Sequence, residues 1–545
     1  MNCIKCNQEF SLTKEEPGIY ERFNFEPSGL CFSCDQKQRL CFRNERNLYQ
    51  RKCDATGTPI LSIYSKDKPF KIYKNDYWYS DNWDPMEYGR EFDFDRPFFE
   101  QFNEMQKEIP RLALSNIRGE NSENCNMTYG NKNCYLVFGG DFNEDTIYGT
   151  LCMRNENVLD ADYSNRNQLC YMISDSIDCY ECQYTFNSKT CSNCYFIGDC
   201  IGCKDCILCT NLINRSYCIL NKQYTKKEYE EKKQELIDGT FTTQQKNYNK
   251  FLELYTKRIV KYAHAISCQN CCGDYLKNCK NCHNTFDASE SEDLINVIFS
   301  NKAKNCLNCS ILSYNSELCY NTISTIDAHG VLTSFFTVNS TNITYSMFSI
   351  NSKYLFGCFG LMHKSYCILN KKYSKTDYEI LRKKIINHMQ KTGEWSKFFP
   401  SNISPFGYNE TSAHDYFPLT KDQALSEKFN WKEIKKQDTI TQTYNVPENI
   451  KNVDDSIIDE LLSCNSCSKN YKIIDRELNF YRTHNIPIPH ICPDCRHHMR
   501  SKLRTPRKIW HSNCQRCHRS IRTPYEPGSP ETVCCEPCYL QAIHK

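Results

Sequence analysis

Short apolar runs separated by turn-forming residues dominate the chain from about residue 116 onward. Fragments such as SENCNM, NKNCYL, NQLCYM, SIDCYECQYTF and CSNCYF place Tyr, Phe, Ile, Leu and Cys between Asn, Asp, Ser and Gly. The positions of Cys125, Cys134, Cys152 and Cys170 differ by nine or by twice nine. Such spacing is typical of solenoids, in which like residues stack on successive coils and Asn occupies the left-handed corners. We therefore expect a parallel β-helix-like centre, with an ordinary antiparallel β domain as the alternative.

The central pattern occurs twice along the chain. Residues 216–237 read SYCILNKQYTKKEYEEKKQELI, and residues 365–386 read SYCILNKKYSKTDYEILRKKII, at an offset of 149. Each copy predicts a helix, because Thr225 and Glu228 form a capping box and Ser374 occupies the matching start of the second helix. The centre is thus predicted to be two Cys- and Asn-rich halves, each closed by a helix.

The predicted fold class is mainly β, with two terminal zinc-ribbon modules that flank a duplicated β-solenoid-like centre with helical insertions. The predicted segments are an N-terminal zinc-ribbon module (1–80), an aromatic and acidic connector (81–115), the first solenoid-like half (116–221), a helical insertion (222–265), the second solenoid-like half (266–371), a helix (372–392), an irregular connector (393–461) and a C-terminal double zinc-ribbon module (462–545).

Four CxxC pairs follow one another near the end of the chain. A CxxC turn brings two sulfurs close together, and two such pairs supply the four thiolates of a tetrahedral Zn²⁺ site. The pairs predict two closed structural sites, because the loops between them have lengths compatible with zinc ribbons. The predicted ligands are Cys464, Cys467, Cys492 and Cys495 for one site and Cys514, Cys517, Cys535 and Cys538 for the other.

The start of the chain repeats this C-terminal module without a gap. Adding 461 to the numbers Cys3, Cys6, Cys31, Cys34 and Cys53 gives Cys464, Cys467, Cys492, Cys495 and Cys514. The N-terminal copy carries Thr56, Lys74 and Tyr77 where the C-terminal copy has the other three ligands of its second site. The sequence therefore predicts one N-terminal site (Cys3, Cys6, Cys31 and Cys34), three Zn²⁺ ions in total, and a hydrophobic or hydrogen-bonded substitute for the lost site.

The composition indicates a globular chain with no strong charge signal. The 545 residues carry a net charge of +3, and 24% of them are charged. The sequence contains no apolar run long enough for a transmembrane helix, and MNCIKCNQEF is no secretory signal, so we expect a cytoplasmic protein without membrane partners. In a reducing compartment the 38 cysteines favour metal sites and packed thiols over disulfides. A secreted disulfide scaffold with an unusual export route is the alternative.

Two cysteine clusters inside the central halves are further candidate metal sites. Cys200, Cys203, Cys206 and Cys209 form C-x2-C-x2-C-x2-C, which suggests iron–sulfur ligation, although no proline follows and the spacing differs from ferredoxin runs. Stacked solenoid cysteines are the alternative. The second cluster consists of two CxxC pairs that are compatible with zinc, Cys279 with Cys282 and Cys306 with Cys309.

The C-terminal module is the most basic part of the chain, with 14 Lys and Arg against six Asp and Glu between residues 462 and 545. Guanidinium groups bind phosphate in a forked geometry, and an aromatic ring can stack on an exposed base. The predicted nucleic-acid-binding residues are Arg496, Arg500, Lys502, Arg504, Arg507, Lys508 and Trp510. A solvated basic face, or arginine stems packed over the ribbon, is the alternative.

Three stretches carry a resemblance to a known group of proteins: PFGYNETSAHDYFPLTK, LRTPRKIWHSNCQRCHRSIRTPYEPGSPETVCCEPCY and CFRNERNLYQRKCDATGTPILSIYSKDKPFKIY. With them, nearly the whole chain resembles an uncharacterised zinc-ribbon family of small-genome, candidate-phylum bacteria. That family has no established activity. The resemblance therefore implies a bacterial cytoplasmic zinc protein and adds nothing about mechanism.

No catalytic motif accompanies these features, since the chain lacks a phosphate-binding glycine loop, HExxH, a nucleophile elbow and a Rossmann fingerprint. The leading hypothesis is a non-enzymatic zinc protein whose terminal ribbons bind nucleic acid, RNA more than DNA, with ribosomal RNA as one candidate. A protein–protein interaction scaffold is the second hypothesis. An iron–sulfur or redox protein that uses the central cysteines is the third.

Overall fold

The computed structural model describes residues 1–14, 16–23, 25–433 and 440–543. The predicted connector 393–461 therefore contains a stretch, 434–439, outside the described part. Within these ranges the α-helices are Glu16–Phe23, Phe32–Leu40, Asn75–Trp78, Phe98–Glu108, Lys226–Leu236, Phe241–Thr256, Lys375–Lys391, Ser412–Tyr416, Lys421–Ser426, Asp475–Thr483, Pro493–Ser501 and Glu536–Ile543. The 3₁₀ helices are Pro85–Tyr88, Ser401–Ile403, Tyr408–Glu410, Ile450–Asn452 and Asp455–Ile458.

The first central half, defined here as the strands between Asn116 and Gln223, contains an eight-stranded sheet in which neighbours in sequence are neighbours in space. Its strands are parallel, apart from the last, and Ile147 pairs with Leu159, which pairs with Tyr171. Paired residues of neighbouring parallel strands are thus twelve positions apart in the chain. The strands of this half are Asn116–Ile117, Thr128–Tyr129, Ile147–Thr150, Leu159–Asp162, Tyr171–Ser174, Gln183–Phe186, Tyr195–Gly198, Lys204–Thr210, Ser216–Ile219 and Lys222–Gln223.

The second central half, between Ala265 and Lys372, forms an 11-stranded and a five-stranded sheet. Its parallel strands keep the same register for most pairs, as in Phe335 with Met347 and Thr341 with Lys353. The strands are Ala265–Ile266, Cys272–Asp274, Leu276–Lys277, His283–Ser289, Glu292–Ile295, Ile298–Asn301, Lys304–Leu307, Ser310–Ser313, Ile323–Ile326, His329–Leu332, Phe335–Val338, Thr341–Thr344, Met347–Ile350, Lys353–Phe356, Ser365–Ile368 and Lys371–Lys372.

These sheets correct the predicted fold class in two respects. The chain is mixed α/β with long parallel sheets, instead of mainly β, and the antiparallel alternative for the centre is wrong. Within the described part of the chain no helix is both long and apolar enough to cross a bilayer.

Backbone conformation explains the abundance of Asn and Asp. Through the central halves roughly every third residue has a positive φ, as Asn157, Asp175 and Asn193 do. Asn and Asp tolerate this left-handed conformation better than other non-glycine residues. Bulky residues also adopt it, among them Tyr148 and Phe196. At such positions the neighbouring ladder hydrogen bonds and buried side chains must outweigh the local strain.

A helix and a hairpin of the two terminal modules have the same bounds once 461 is added to the N-terminal numbers. Phe32–Leu40 corresponds to Pro493–Ser501. The hairpin of Tyr49–Lys52 with Pro59–Ser62 corresponds to that of Trp510–Asn513 with Ser520–Thr523. The remaining described strands, all outside the central halves, are Ile72–Tyr73, Arg111–Leu112, Ile259–Lys261, Leu462–Ser463, Asn470–Tyr471 and Thr532–Cys534.

The modules and helices pack against the central sheets in two large apolar clusters. Helices Phe98–Glu108 and Lys375–Lys391 contribute Phe98, Phe102 and Ile385 to the cluster on the second half. Helix Phe241–Thr256 and the C-terminal module contribute Phe251, Leu478 and their neighbours to the cluster on the first half. The helix at residue 226 begins with the predicted capping box, because Thr225 and Glu228 accept hydrogen bonds from each other's backbone N–H.

Candidate metal centres

The N-terminal module brings together Cys3, Cys6, Cys31 and Cys34, whose sulfurs all lie within 4.8 Å of one another. The Cys6 and Cys31 sulfurs are 3.6 Å apart, and the Cys31 N–H donates to the Cys3 sulfur at 3.3 Å. Thiolates bound to one tetrahedral Zn²⁺ at about 2.3 Å stand about 3.8 Å apart, so this group has the dimensions of a zinc site. Cys31 precedes helix Phe32–Leu40, which places Cys34 on the first turn of that helix.

The C-terminal module repeats this geometry with Cys464, Cys467, Cys492 and Cys495. The Cys467 and Cys492 sulfurs are 3.7 Å apart, and the Cys492 N–H donates to the Cys464 sulfur at 3.2 Å. Cys492 precedes helix Pro493–Ser501 in the same way. A metal ion bound here would therefore fix the start of that helix relative to the preceding hairpin.

The third group consists of Cys514, Cys517, Cys535 and Cys538. The Cys517 and Cys535 sulfurs are 3.5 Å apart. Cys514 follows the strand Trp510–Asn513, and Cys535 precedes helix Glu536–Ile543. The described residues thus contain the three four-cysteine groups that the sequence predicts, and each could hold one metal ion of the zinc type.

One sulfur in each group is poised to ionise. A hydrogen bond from Cys34 holds the pKa of Cys31 at about 5. Burial opposes ionisation of Cys464, but hydrogen bonds from the backbone N–H groups of Cys492 and its neighbours lower its pKa to about 7. Similar backbone hydrogen bonds outweigh burial at Cys514 and lower its pKa to about 5. Thiolates are the form in which cysteine binds Zn²⁺, so these sulfurs favour metal binding at neutral pH, whereas burial raises the pKa of others such as Cys492.

The position of the missing fourth site holds a hydrogen-bonded substitute. The Cys53 sulfur accepts a hydrogen bond from the Lys74 N–H at 3.3 Å, and Thr56 bonds to Thr58 through their hydroxyl groups at 2.8 Å. Tyr77 packs edge-on against Tyr73, with ring centroids 5.1 Å apart. The loop is thus held by a thiol acceptor and an aromatic pair at the position where the C-terminal module has four sulfurs.

The candidate ligands in the second half do not come together. Cys279, Cys282, Cys306 and Cys309 are all described, yet they form no four-sulfur group. Each is buried, and its thiol donates to main-chain carbonyls, for example from Cys279 to Lys277 and Ala288 at 3.3 and 3.5 Å. Cys282 and Cys306 do the same, so these cysteines act as internal hydrogen-bond donors.

The C-x2-C-x2-C-x2-C run is explained in the same way. The Cys200 and Cys209 thiols donate to the carbonyls of Gly198 and Ile207 at 3.4 and 3.2 Å, and none of the four cysteines of the run belongs to a described metal group. At an equivalent inward position the Ser176 hydroxyl donates to two carbonyls. Cysteine therefore substitutes for serine in a structural role. Its recurrence at every twelfth position was a signal in the sequence for this role, as in Cys182, Cys194, Cys206 and Cys218.

The predicted nucleic-acid-binding arginines are buried against the first central half. The Arg496 guanidinium donates to Asp160 at 2.7 Å, and Arg500 donates to Asp160 at 2.9 Å and to Asp162 at 2.8 Å. Their side chains are 1% and 0% exposed, respectively. Arg496 also donates to Glu477 of the preceding helix at 3.2 Å. Both guanidinium groups are thus buried and ion-paired with carboxylates of this chain.

The next two arginines bridge the two central halves. Arg504 donates to Asp175 of the first half at 2.8 Å and to Asp287 of the second half at 2.5 Å. Arg507 donates to the same Asp287 at 2.9 Å. Their guanidinium groups also stack on tyrosines, with Arg504 3.4 Å from the Tyr163 ring centroid. Buried charges of this kind are retained only when opposite charges and hydrogen bonds compensate for lost hydration.

The prediction of a phosphate-binding surface therefore requires correction. Arg496, Arg500, Arg504 and Arg507 lie inside the molecule, and of the predicted residues only Lys502 and Lys508 are fully exposed. Trp510 is half-buried and lies under the Lys508 ammonium, 4.8 Å from its ring centroid. The sequence reasoning did not predict the carboxylates that form ion pairs with these arginines. Asp160 and Asp162 stand in the buried strand LDAD, and acids in a buried strand were the available sign of internal partners.

Comparison with known proteins finds no matching family model and no matching curated protein. The family resemblance drawn from the sequence therefore receives no support beyond the three four-cysteine groups.

Proposed function

We propose that this chain is a non-enzymatic zinc protein that serves as a protein–protein interaction scaffold, with one structural Zn²⁺ ion in each four-cysteine group. Four thiolates from two CxxC pairs, with no position left for water or substrate, are characteristic of structural zinc. The sulfur separations of 3.6, 3.7 and 3.5 Å support the same metal at all three groups.

The two central halves are best understood as coils of a β-solenoid. Successive strands are parallel at a register of twelve positions, and the second half carries two such ladders over the same stretch of chain. Every third residue points inward in turn, as Cys200, Cys203, Cys206 and Cys209 do. A coil of this length with one inward residue in every three accounts for both the register and the hydrogen-bonded cysteines.

The observation that carries the proposal is the burial of all four arginines of the C-terminal stretch. Arg496 and Arg500 attach helix Pro493–Ser501 to the first half, and Arg504 and Arg507 reach the second half. The start of this helix lies at the second four-cysteine group. Bound zinc would thus stabilise the C-terminal module in the conformation that contacts both central halves, which is a structural role.

The outward faces of the coils favour protein partners over nucleic acid. Rows of opposite charges run along them, such as Lys132 with Glu144 at 2.8 Å and Arg166 with Asp178 at 2.6 Å. Alternating signs give no net field to attract a polyanion, whereas they offer complementary contacts to a polar protein surface. Arg496, Arg500, Arg504 and Arg507 are paired internally and are not available to phosphate, whereas the last hairpin keeps Arg516, Arg519 and Arg522 exposed.

Metal analysis of the full chain tests the zinc part of the proposal. We expect three zinc ions per chain and no iron, and we expect chelation to unfold the modules, because structural zinc contributes about 10–16 kcal/mol to folding. A chain that folds to the same melting temperature without metal would overturn this part.

Cross-linking of the full chain in a lysate, with and without nuclease, tests the scaffold part. We expect protein cross-links on outward residues such as Lys132 that survive nuclease treatment. We also expect substitution of Arg496, Arg500, Arg504 or Arg507 to leave the salt dependence of any RNA binding unchanged, because these buried groups contact no phosphate. Nuclease-sensitive partners, or a salt dependence that these substitutions reduce, would restore the nucleic-acid hypothesis.

A further inference from the structure

A cavity of about 420 Å³ lies between the two central halves, on the side of the N-terminal module. Its walls are mostly apolar, and they come from both halves. The main apolar side chains are Met127, Phe142, Leu151, Phe299, Ile311 and Phe336. The volume lies within the range of small-molecule sites, about 300–1,000 Å³, and such sites combine apolar walls with a few polar groups.

The polar group inside this cavity is the carboxylate of Asp141. It accepts hydrogen bonds from the Tyr129 N–H at 3.0 Å and from the Tyr314 hydroxyl at 3.5 Å. No basic side chain in the described part of the chain lies within ion-pair distance of it. Asp327 adds a second carboxylate at the cavity wall. The carboxylate of Asp141 is thus half-buried and forms no ion pair in the described part of the chain.

The two arginines at the cavity wall do not neutralise its two carboxylates. Arg43 is paired with Glu45 and with the Ser324 hydroxyl. Arg154 is exposed and lies over the Phe142 ring, 5.8 Å from its centroid. The carboxylates of Asp141 and Asp327 therefore stand against one free guanidinium. Aromatic rings on both walls could in addition contact a cation through their faces.

The matching position on the other side of the molecule is filled. At the offsets of 461 and 149, Arg43 and Ser324 correspond to Arg504 and Asp175, which are ion-paired at 2.8 Å. In the earlier part of the halves the offset is 148, at which KNC at 132–134 matches KNC at 280–282. Asp287, which binds Arg504 and Arg507, corresponds at this offset to Gly139 in the cavity wall. On the cavity side, Gly139 stands where Asp287 fills the other side. Arg43 pairs with Glu45 and does not bridge the two halves as Arg504 does. The cavity is a specific difference between two copies of one arrangement.

We propose that this cavity binds a hydrophobic organic cation, with its ammonium group on Asp141 and its apolar body against Phe142, Phe299 and Phe336. The ammonium group of the ligand supplies the charge partner that the Asp141 carboxylate lacks in the unliganded site, and the aromatic rings supply the apolar surface. A neutral or anionic molecule of the same shape would bury the carboxylate without compensation, which is unfavourable.

Calorimetric titration of the zinc-loaded full chain with 2-(1-naphthyl)ethylammonium tests the proposal, with 1-naphthaleneacetate as the anionic counterpart. We expect one saturable site for the cation and binding of the anion at least about tenfold weaker. Asp141→Asn keeps the oxygen that accepts from Tyr129 and should weaken cation binding by about tenfold. Asp178→Asn, an exposed carboxylate of the same half, is the matched control and should change nothing.

Two further readouts separate a binding defect from a folding defect. Leu151→Trp should block the cation by filling the cavity, while the thermal melts of all three variants should stay close to that of the parent chain. Because burial raises the pKa of Asp141 to about 6, cation binding should strengthen as the pH rises from 5 to 7. Tyr314, Arg154 and Asp327 line the cavity around the same carboxylate, and burial raises the pKa of Tyr314 to about 12, outside that interval. Absence of cation binding, equal binding of the anion, or an unchanged affinity in Asp141→Asn would overturn the proposal.

Discussion

The N-terminal module contacts the second central half as the C-terminal module contacts the first, and the two interfaces use corresponding positions of the duplicated sequence. Tyr481 packs on Tyr171 with ring centroids 5.8 Å apart. At the offsets of 461 and 149 the corresponding pair is Tyr20 on Tyr320, at 5.9 Å. Each module therefore docks on the half that is more distant in sequence, and the molecule contains two related module–sheet units.

The chemistry of the two interfaces differs although their geometry is shared. His497 meets Asp162 at 3.0 Å, whereas its counterpart Gln36 meets Ser310 at 3.1 Å. Arg500 meets the carboxylates of the first half. Its counterpart Arg39 instead pairs with Asp35 of its own helix and donates to Asn321 of the second half at 3.2 Å. The countercharge comes from the sheet on one side and from the module on the other.

This difference shows that a docking geometry can persist while its polar partners are exchanged. Apolar and aromatic packing holds both modules in place. The ion pairs determine how each interface responds to the loss of a charge, because a buried charge without its partner is far more costly than an absent neutral hydrogen bond. We therefore expect the C-terminal interface to be the more sensitive one to substitution of a polar group.

The largest effect should come from the metal sites, where Cys514 is a predicted ligand and its counterpart Cys53 is not. We expect Cys514→Ser to lower the zinc content from three ions per chain to two and to unfold the last hairpin, since a structural site contributes about 10–16 kcal/mol. Cys53→Ser should leave the zinc content unchanged. Metal analysis and proteolysis of the two variants measure this, and equal zinc loss in both would refute the assignment of three sites.

The next largest effect should follow from loss of the Arg500 guanidinium. Arg500→Met leaves Asp160 and Asp162 with less compensation in a fully buried setting, so we expect the free energy of unfolding to fall by about 3–5 kcal/mol. Lys502→Met, two positions along at an exposed site, is the control and should change it by less than about 0.5 kcal/mol. Denaturant unfolding compares the two. Similar losses in both variants would mean that the Arg500 ion pairs contribute little.

A smaller, pH-dependent effect should distinguish Asp162 from its neutral counterpart Ser310. Burial alone would raise the pKa of Asp162, but Arg500 and His497 outweigh burial and lower it. A lowered carboxyl pKa contributes stability above the unfolded value, about 3.9, and that stability is lost as the pH falls toward the folded value. We expect Asp162→Asn to be less stable than the parent at pH 7 and the difference to shrink below about pH 4.

Unfolding of the parent and of Asp162→Asn at matched pH values measures that difference, in which effects of acid on the zinc ligands largely cancel. A difference in unfolding free energy that stays constant from pH 7 to pH 3 would show that the Asp162 carboxylate makes no net electrostatic contribution. The neutral pair on the other side, Gln36 with Ser310, has no group that titrates and provides the reference.

The sequence predicted best those features that depend on residues close together in the chain. A CxxC turn fixes two sulfurs locally, so the groups at Cys3, Cys464 and Cys514 could be predicted from spacing alone. The role of the basic stretch could not, because Arg496 and its partner Asp160 are 336 residues apart. A local count of charges cannot distinguish a solvated arginine from one whose countercharge is supplied by a distant strand.

The role of the central cysteines also could not be predicted from residues close together in the chain. Their CxxC spacing is common to metal ligands and to a coil whose every third residue points inward, so Cys279 and Cys282 match both patterns. Only the position of the neighbouring parallel strand, which places the Ala288 carbonyl 3.5 Å from the Cys279 sulfur, identifies the thiol as a hydrogen-bond donor. The recurrence of cysteine at every twelfth position was present in the sequence, but the shorter CxxC spacing obscured it.

The smallest expected effect concerns the neutral interface. Ser310→Ala removes the hydroxyl that donates to the Gln36 amide oxygen at 3.1 Å, and we expect the free energy of unfolding to fall by about 1 kcal/mol. Ser310 is fully buried, so the loss reflects an amide oxygen left without its donor, with no charge left uncompensated. Denaturant unfolding beside Asp162→Asn gives the comparison. If the loss at Ser310 equals or exceeds the loss at Asp162 at pH 7, charge is not what distinguishes the two interfaces, and the apolar packing around Tyr20 and Tyr481 must account for the difference between them.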